Sequence, residues 1–281
     1  MCVHSPQMDH FLAADAVVYP VVKQIYARPT TGRPIGRVTL MLKRTLTVLI
    51  SAAVLILFAP SAFASIPQHP RWESSAANGT WSHGGYLFQN DKWNCPQAAC
   101  GKQTIWADSA NDWGVVSNMA AGNTAVLTYP DLGKLFNDRP VSDFGVVRNG
   151  FTESMPKGTK GLSAEAADDV WLDQYHIEMM IWVDSIGRSL AGSIRIGNAT
   201  ISGQHFTVWK YGRTEFDFVL THNETSGETN ILASINWLIS HGKVAAGATL
   251  TQADFGWEIC STGGHPADFQ ISKYWLHTSA R

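Results

Sequence analysis

Along most of the chain, apolar and polar residues alternate in short runs, and Gly, Asn, Asp and Pro interrupt them. Alternation at a period of two, punctuated in this way, predicts β-strands. The runs fall at residues 85–89, 103–106, 114–117, 124–129, 167–172, 177–183, 190–196, 199–201, 206–211, 216–220, 248–250 and 254–260. One segment keeps a different period. Ile231, Leu232, Ile235, Leu238 and Ile239 recur at helical spacing, with Thr229 or Asn230 available as N-cap and Gly242 beyond the end. Many short strands and a single helix predict one all-β domain: a sandwich, jelly roll or barrel.

The pattern before residue 65 is unlike the rest. Lys43 and Arg44 precede an apolar run from Leu46 to Phe58, followed by Pro60 and by Ala62-Phe63-Ala64. A charged start, an apolar stretch and a small-x-small site predict a secretory signal peptide cleaved after Ala64. The run is shorter than the roughly 20 residues of a membrane span. Met41 opens an ordinary leader, so residues 41–64 are expected to be the signal peptide and residues 1–40 an over-called N-terminal extension, the alternative being an unusually long leader. The expected catalytic domain is 65–281, secreted and extracellular.

Removing the leader changes the charge balance. Residues 65–281 hold 15 Lys and Arg against 21 Asp and Glu, a net charge of -6, and all 11 Trp of the chain. An acidic chain of this kind gives no sign of a nucleic-acid or anionic-membrane partner. Export permits a disulfide between Cys95 and Cys100 across a short loop. Cys260 is left over and is expected to be a buried thiol. His176-Ile-Glu178 has the His-x-Glu of zinc deaminases, but the Pro-Cys-x-x-Cys that must follow is absent. No P-loop, dinucleotide fingerprint or Gly-x-Ser-x-Gly occurs. No metal or cofactor is expected.

Strand parity then isolates two carboxylates. Successive side chains of a strand point to opposite faces. Over residues 175–184, Tyr175, Ile177, Met179, Ile181 and Val183 form an apolar face. His176, Glu178, Met180, Trp182 and Asp184 form the other. Over 254–260, Phe255, Trp257 and Ile259 are apolar, and Glu258 shares its face with Asp254, Gly256 and Cys260. Gly256 leaves room for something to approach the backbone. A Glu on the outer face of a strand is ordinarily a solvated residue. Here the neighbours are Met, Trp, Gly and Cys, where a solvated face carries Lys and Thr. Two carboxylates beside a Trp-rich surface are the equipment of glycoside hydrolysis.

The residues around these two Glu resemble a known family. The run 166–172, Ala-Ala-Asp-Asp-Val-Trp-Leu, followed by Glu178-Met-Met-Ile-Trp182, is similar to the paired motif of glycoside hydrolase family 12. Phe255-Gly-Trp-Glu-Ile-Cys-Ser-Thr-Gly-Gly264 resembles that family's second Glu motif. The helix over 231–241, Asn90-Asp-Lys-Trp-Asn94, Gln103 and Val126-Leu-Thr-Tyr-Pro130 fit in order. The resemblance spans about residues 80–275. It implies a β-jelly roll of two antiparallel sheets with an open cleft. It also implies a monomer that hydrolyses internal β-1,4 bonds of a β-glucan with retention.

Carried over by position, Glu178 is the nucleophile, Glu258 the acid/base and Asp169 the carboxyl beside the nucleophile. Trp93, Asn90, Met180 and Trp182 are the implied substrate contacts. Three positions depart from the pattern: Asp168 stands where an aromatic is usual, Asp91 replaces a second Asn, and Trp257 replaces a small residue. They bear on substrate preference. A xyloglucan hydrolase, a related jelly-roll xylanase and a non-catalytic lectin-like module are the alternatives. The lectin-like module needs the Trp surface but not the two carboxylates.

Overall fold

The computed structural model describes residues 65–281 apart from Gln97. The assigned extension and signal peptide, 1–40 and 41–64, lie outside the described residues. The first strands are β1 (Trp72–Ser74), β2 (Thr80–His83), β3 (Tyr86–Gln89), β4 (Cys100–Ser109) and β5 (Asp112–Met119). They are followed by β6 (Asp131–Pro140), β7 (Phe144–Ser154), β8 (Leu162–Leu172), β9 (Ile177–Ile186) and β10 (Ile194–Ile201). Then come β11 (Gln204–Tyr211), β12 (Glu215–Leu220), β13 (Ser226–Thr229), helix α1 (Ile231–Ser240), β14 (Thr249–Thr262) and β15 (Ala267–Ala280).

Two sheets form. One has six strands in the order β1-β4-β5-β15-β7-β13, the other nine in the order β10-β11-β12-β9-β8-β14-β6-β3-β2. Among the described residues the pairing is antiparallel except at one place: β12 runs parallel to β9, with Glu215 beside Glu178 and Asp217 beside Met180. The expectation of wholly antiparallel sheets is corrected there. The sheets bury one apolar core between them, with Trp113 and Phe269 of the six-stranded sheet meeting Phe88 and Trp257 of the other. The Trp113 and Trp257 ring centroids lie 5.0 Å apart, as do those of Phe151 and Phe255. Trp257 is fully buried, as its parity predicts.

Helix α1 starts where the cap pattern places it. Asn230 Oδ1 accepts from Ala233 N at 3.1 Å, and Gly242 follows the end at φ 64°. Trp237 on the helix packs edge-on against Phe218 of β12, with centroids 5.6 Å apart.

Several sequence expectations are corrected. Residues 124–129 form no strand; isolated bridge positions occur at Ala125 and Thr128, the latter to Ile259. Residues 249–250 and 254–260 belong to one 14-residue strand, β14, and Ala248 lies just before it. Residues 175 and 176 precede β9 in a turn, where Asp173, Gln174 and Tyr175 all have positive φ. Asp184 does not share the face of Glu178. A register shift between Ala166 and Ala167 puts one extra residue in the ladder and turns Asp184 inward. There its carboxylate meets Lys157 Nζ at 2.6 Å.

Candidate active site

On the nine-stranded sheet, the face turned away from the core gathers the residues singled out by parity. Glu178 on β9, Asp169 on β8 and Glu258 on β14 belong to three neighbouring strands, with β8 in the middle. Glu178 pairs in the ladder with Trp171 and Met180 pairs with Asp169. Asp169 therefore stands diagonal to Glu178 on the same face. Across the other ladder, Asp169 pairs with Asp254 and Glu258 pairs with Glu165. All are nearly buried, at 6% exposure for Glu178, 5% for Glu258 and 3% for Asp169.

Electrostatics tie the three strands together. Burial pushes Asp169 well above the usual carboxylate range, and the charges of Glu178, Asp254 and Glu258 push it further. Trp171 Nε1 donates to Asp169 Oδ2 at 2.9 Å and opposes the rise. Asp254 and Asp131 are raised as well, first by burial. Gln89 Nε2 donates to Asp131 Oδ1 at 3.2 Å.

The same face carries an apolar floor of its own. Met180 and Trp182 cluster with Tyr129, Ala167, Leu190 and Val219, apart from the main hydrophobic cluster. Tyr129 OH donates to Ala167 O at 3.0 Å and fixes the floor from the β14 side. Trp93 packs on Val126 and Cys260, two residues along β14 from Glu258. Its segment is clamped by Asn94, whose N and Nδ2 donate to Leu127 O at 3.2 Å and Val126 O at 2.7 Å.

Asn90 is placed differently from the expectation that it touches substrate. It is fully buried; its Nδ2 donates to Ala76 O at 2.7 Å and its Oδ1 accepts from Gln103 Nε2 at 3.0 Å. Gln103 in turn accepts from Ser117 Oγ at 2.9 Å. Asn90 thus ends β3 from inside. Asp168 also points inward, between the sheets. Its carboxylate accepts from Asn149 Nδ2 and from Thr229 Oγ1, the latter at 2.6 Å. That polar staple explains why no aromatic is needed at this position. What approaches Gly256 is the protein's own chain: an added Cβ would lie 2.2 Å from Pro130 O.

Cys95 and Cys100 form the expected disulfide, with Cα atoms 5.3 Å apart. No free cysteine occurs among the described residues. Cys260 is buried as expected, but its sulfur is not free.

Four functional candidates escaped the sequence pattern. Arg188, in the segment between β9 and β10, pairs with both Glu165 and Glu258. Its parity carries no signal because it follows the positive-φ turn at Gly187. Glu215 and Asp217 reach the site face through the parallel pairing with β9. Trp209 pairs with Asp217, which extends the same face across β12 to β11. Periodicity within one strand says nothing about which strand lies next to it.

No family model matches the chain. Solved structures do resemble it. The xyloglucanase domain of NopAA, a type three effector from Sinorhizobium fredii, aligns at 22% identity and a TM-score of 0.67. That alignment covers 75% of this chain and 100% of the other. The family 12 xyloglucanase from Bacillus licheniformis aligns at 20% and 0.64, covering 74% and 100%. Endoglucanase 3 from Trichoderma harzianum, of family GH12, aligns at 21% and 0.65, covering 74% and 97%. Two packed sheets, one helix and this strand order give residues 65–281 the jelly-roll fold of the family 12 glycoside hydrolases.

Proposed function

We propose that this chain is a secreted endo-acting hydrolase of β-1,4-glucans that works with retention of configuration. The observation that carries the reading is the placement of Glu178 and Glu258 on one face of the nine-stranded sheet, on either side of Asp169, which feels the charge of both. In this reading Glu178, ionised, attacks the anomeric carbon and the sugar–oxygen bond breaks as Glu258 donates its proton to the leaving oxygen. Water then attacks the glycosyl-enzyme, Glu258 takes its proton, and Glu178 is released. Asp169 lies beside the nucleophile. Burial and the adjacent charges favour its protonated form, which leaves the negative charge to Glu178.

Similarity of fold to glucan-cleaving proteins supports the substrate class. The NopAA domain was solved with cellobiose, and it and the Bacillus licheniformis protein are xyloglucanases. Xyloglucan therefore stands beside unbranched glucan as a candidate substrate. The leader pattern at 41–64 and the Cys95–Cys100 bridge support export. The test is release of reducing sugar from carboxymethylcellulose, mixed-linkage β-glucan, xyloglucan and xylan. Activity on a β-1,4-glucan that is lost in Glu178→Ala and Glu258→Ala, with folding retained, supports the reading. Silence on all four substrates overturns it, and binding without cleavage returns the lectin-like alternative.

A further inference from the structure

Arg188 is a cation set between two carboxylates. Its side chain is 2% exposed, and its guanidinium pairs with Glu165 on β8 and with Glu258 on β14. Those two Glu are direct ladder partners, so they stand side by side on the same face. Arg188 Cζ lies 4.7 Å from the centroid of the Trp182 ring, and Arg188 Nη1 donates to Cys260 Sγ at 2.9 Å. The guanidinium is thus held by a ring face, a sulfur and two carboxylates, and has little freedom to leave. Planar, forked donors suit this arrangement, where a Lys ammonium would not reach both carboxylates in plane.

This inference rests on the reading of Glu258 as acid/base. We propose that Arg188 is a positioning residue that, together with Glu165, sets the pH range over which Glu258 carries its proton. The charge balance gives the reason. A single cation beside Glu258 favours the ionised carboxylate, which is the wrong state for a proton donor. A second carboxylate on the same cation changes this. One positive charge neutralises one carboxylate, and the other is then most stable as a neutral acid. Glu165 makes the cation affordable to a residue that must keep a proton.

Other charges face the same region. Glu178 on β9, ionised in this reading, favours the protonated form of Glu258, whereas Asp169 on β8, Asp254 on β14 and Asp131 on β6 are themselves held toward their neutral forms by burial. Arg188 opposes Glu178. Removing the cation and removing Glu165 therefore act with opposite sign.

The experiment uses the full-length enzyme and neutral mixed-linkage β-glucan. The basic limb of kcat/KM against pH reports the proton donor of the free enzyme. Arg188→Gln moves that limb up by about one pH unit or more, and Glu165→Gln moves it down by about the same. Arg188→Lys, which keeps the charge, stays closer to the parent than Arg188→Gln. A limb that does not move, or that moves the same way in both neutral variants, overturns the proposal. A purely structural role lowers turnover without this opposition of sign. Carbon-13 NMR titration of the Glu δ-carboxyls gives the same readout without turnover, with Glu258 identified by Glu258→Gln. Opposite shifts of the Glu258 resonance support the proposal even if no glucan is cleaved, which separates its failure from failure of the hydrolase reading. If Arg188→Gln does not fold, the downward shift in Glu165→Gln decides.

Discussion

Trp171, the direct ladder partner of Glu178, donates its indole N–H to Asp169 Oδ2 at 2.9 Å. The indole holds one oxygen of Asp169, and the other, Oδ1, is buried without a hydrogen-bond partner. An unpartnered buried carboxylate oxygen is costly when charged, and burial with the neighbouring charges raises the proton affinity of Asp169. A neutral Asp169 beside Glu178 predicts that Asp169→Asn keeps most of its turnover, because the amide is also neutral and has the same shape. Asp169→Ala, which removes the group, is expected to lose about 100-fold in kcat. Steady-state kinetics of the two variants on one glucan separate the cases. Equal losses would mean that the ionised form is the working one.

The staple between the sheets makes a statement about pH. Burial lifts Asp168 to about 8 and Glu153 to about 8, the latter helped by Asp184. Both groups are then protonated in the folded chain where the unfolded chain has them ionised. Between about pH 4 and pH 8 the folded state binds more protons, so stability falls as pH rises, by up to about 1.4 kcal/mol per pH unit for each group. Thermal unfolding at pH 5, 7 and 9 should show a falling midpoint. Asp168→Asn mimics the protonated form and is expected to flatten that fall, melting above the parent at pH 9. A parent midpoint that rises across this range would contradict the assignment.

Much of the site was legible in the sequence, for a physical reason. Residues 177–182 and 252–260 keep strict alternation, so parity sets Glu178, Met180, Trp182 and Glu258 on one face and Met179, Ile181, Phe255 and Trp257 on the other. Alternation fails where a ladder is irregular. β15 was missed because a register shift between Ile271 and Lys273 breaks its period. Asp184 was misplaced by the shift at Ala166 and Ala167. The run at 124–129 has strand-like composition, yet its backbone bonds to the segment carrying Trp93: Asn94 N donates to Leu127 O at 3.2 Å and Tyr129 N to Asp91 O at 2.9 Å. Arg188 and Trp209 depend on which strands are neighbours, and that is a property of the whole sheet.

Two Trp on the site face bracket the carboxylates in strand order. Trp93 packs on Cys260 beside Glu258, and Trp209 lies on β11, two strands beyond Glu178. Trp209 Nε1 donates to Thr207 Oγ1 at 3.0 Å, which holds the ring against its own strand. Both are partly exposed. In a glucan hydrolase such rings bind sugar units away from the bond being broken. Each Trp→Ala variant is therefore expected to raise KM for long glucans by about tenfold, or about 1.4 kcal/mol, with kcat changed far less. Short oligosaccharides that do not reach the ring should show no change. A fall in kcat with KM constant would place the ring at the reacting centre instead.

The Cys95–Cys100 bridge closes a loop with a sequence separation of 5. Loop-entropy arguments assign such a short closure about 2 kcal/mol, less than a longer loop would give. The double variant Cys95→Ser with Cys100→Ser should unfold at lower denaturant by that amount. It should keep its catalytic rate, because the loop is anchored separately by Ala99 N and Cys100 N donating to Pro96 O at 2.9 Å and 3.1 Å. Denaturant titration with and without reductant checks this. A variant of unchanged stability would show that the bridge leaves the unfolded chain no more restricted than before.

Gly256 tests the close approach of two strands beside the site. It pairs with Asp131 of β6, and a Cβ at this position would lie 2.2 Å from Pro130 O and 2.8 Å from Asp131 Cα. Both are backbone atoms, so neither can swing aside as a side-chain tip would. Gly256→Ala must push β6 away from β14, and overpacking of this kind costs about 3 kcal/mol. Asp131 and the segment 128–130 move with β6, so activity should fall along with stability. Glu258 is two residues further along β14, on the same face. Circular dichroism melts and glucan turnover of Gly256→Ala read the two effects together. A variant that melts with the parent and keeps full turnover would show that β6 and β14 have room the packing denies.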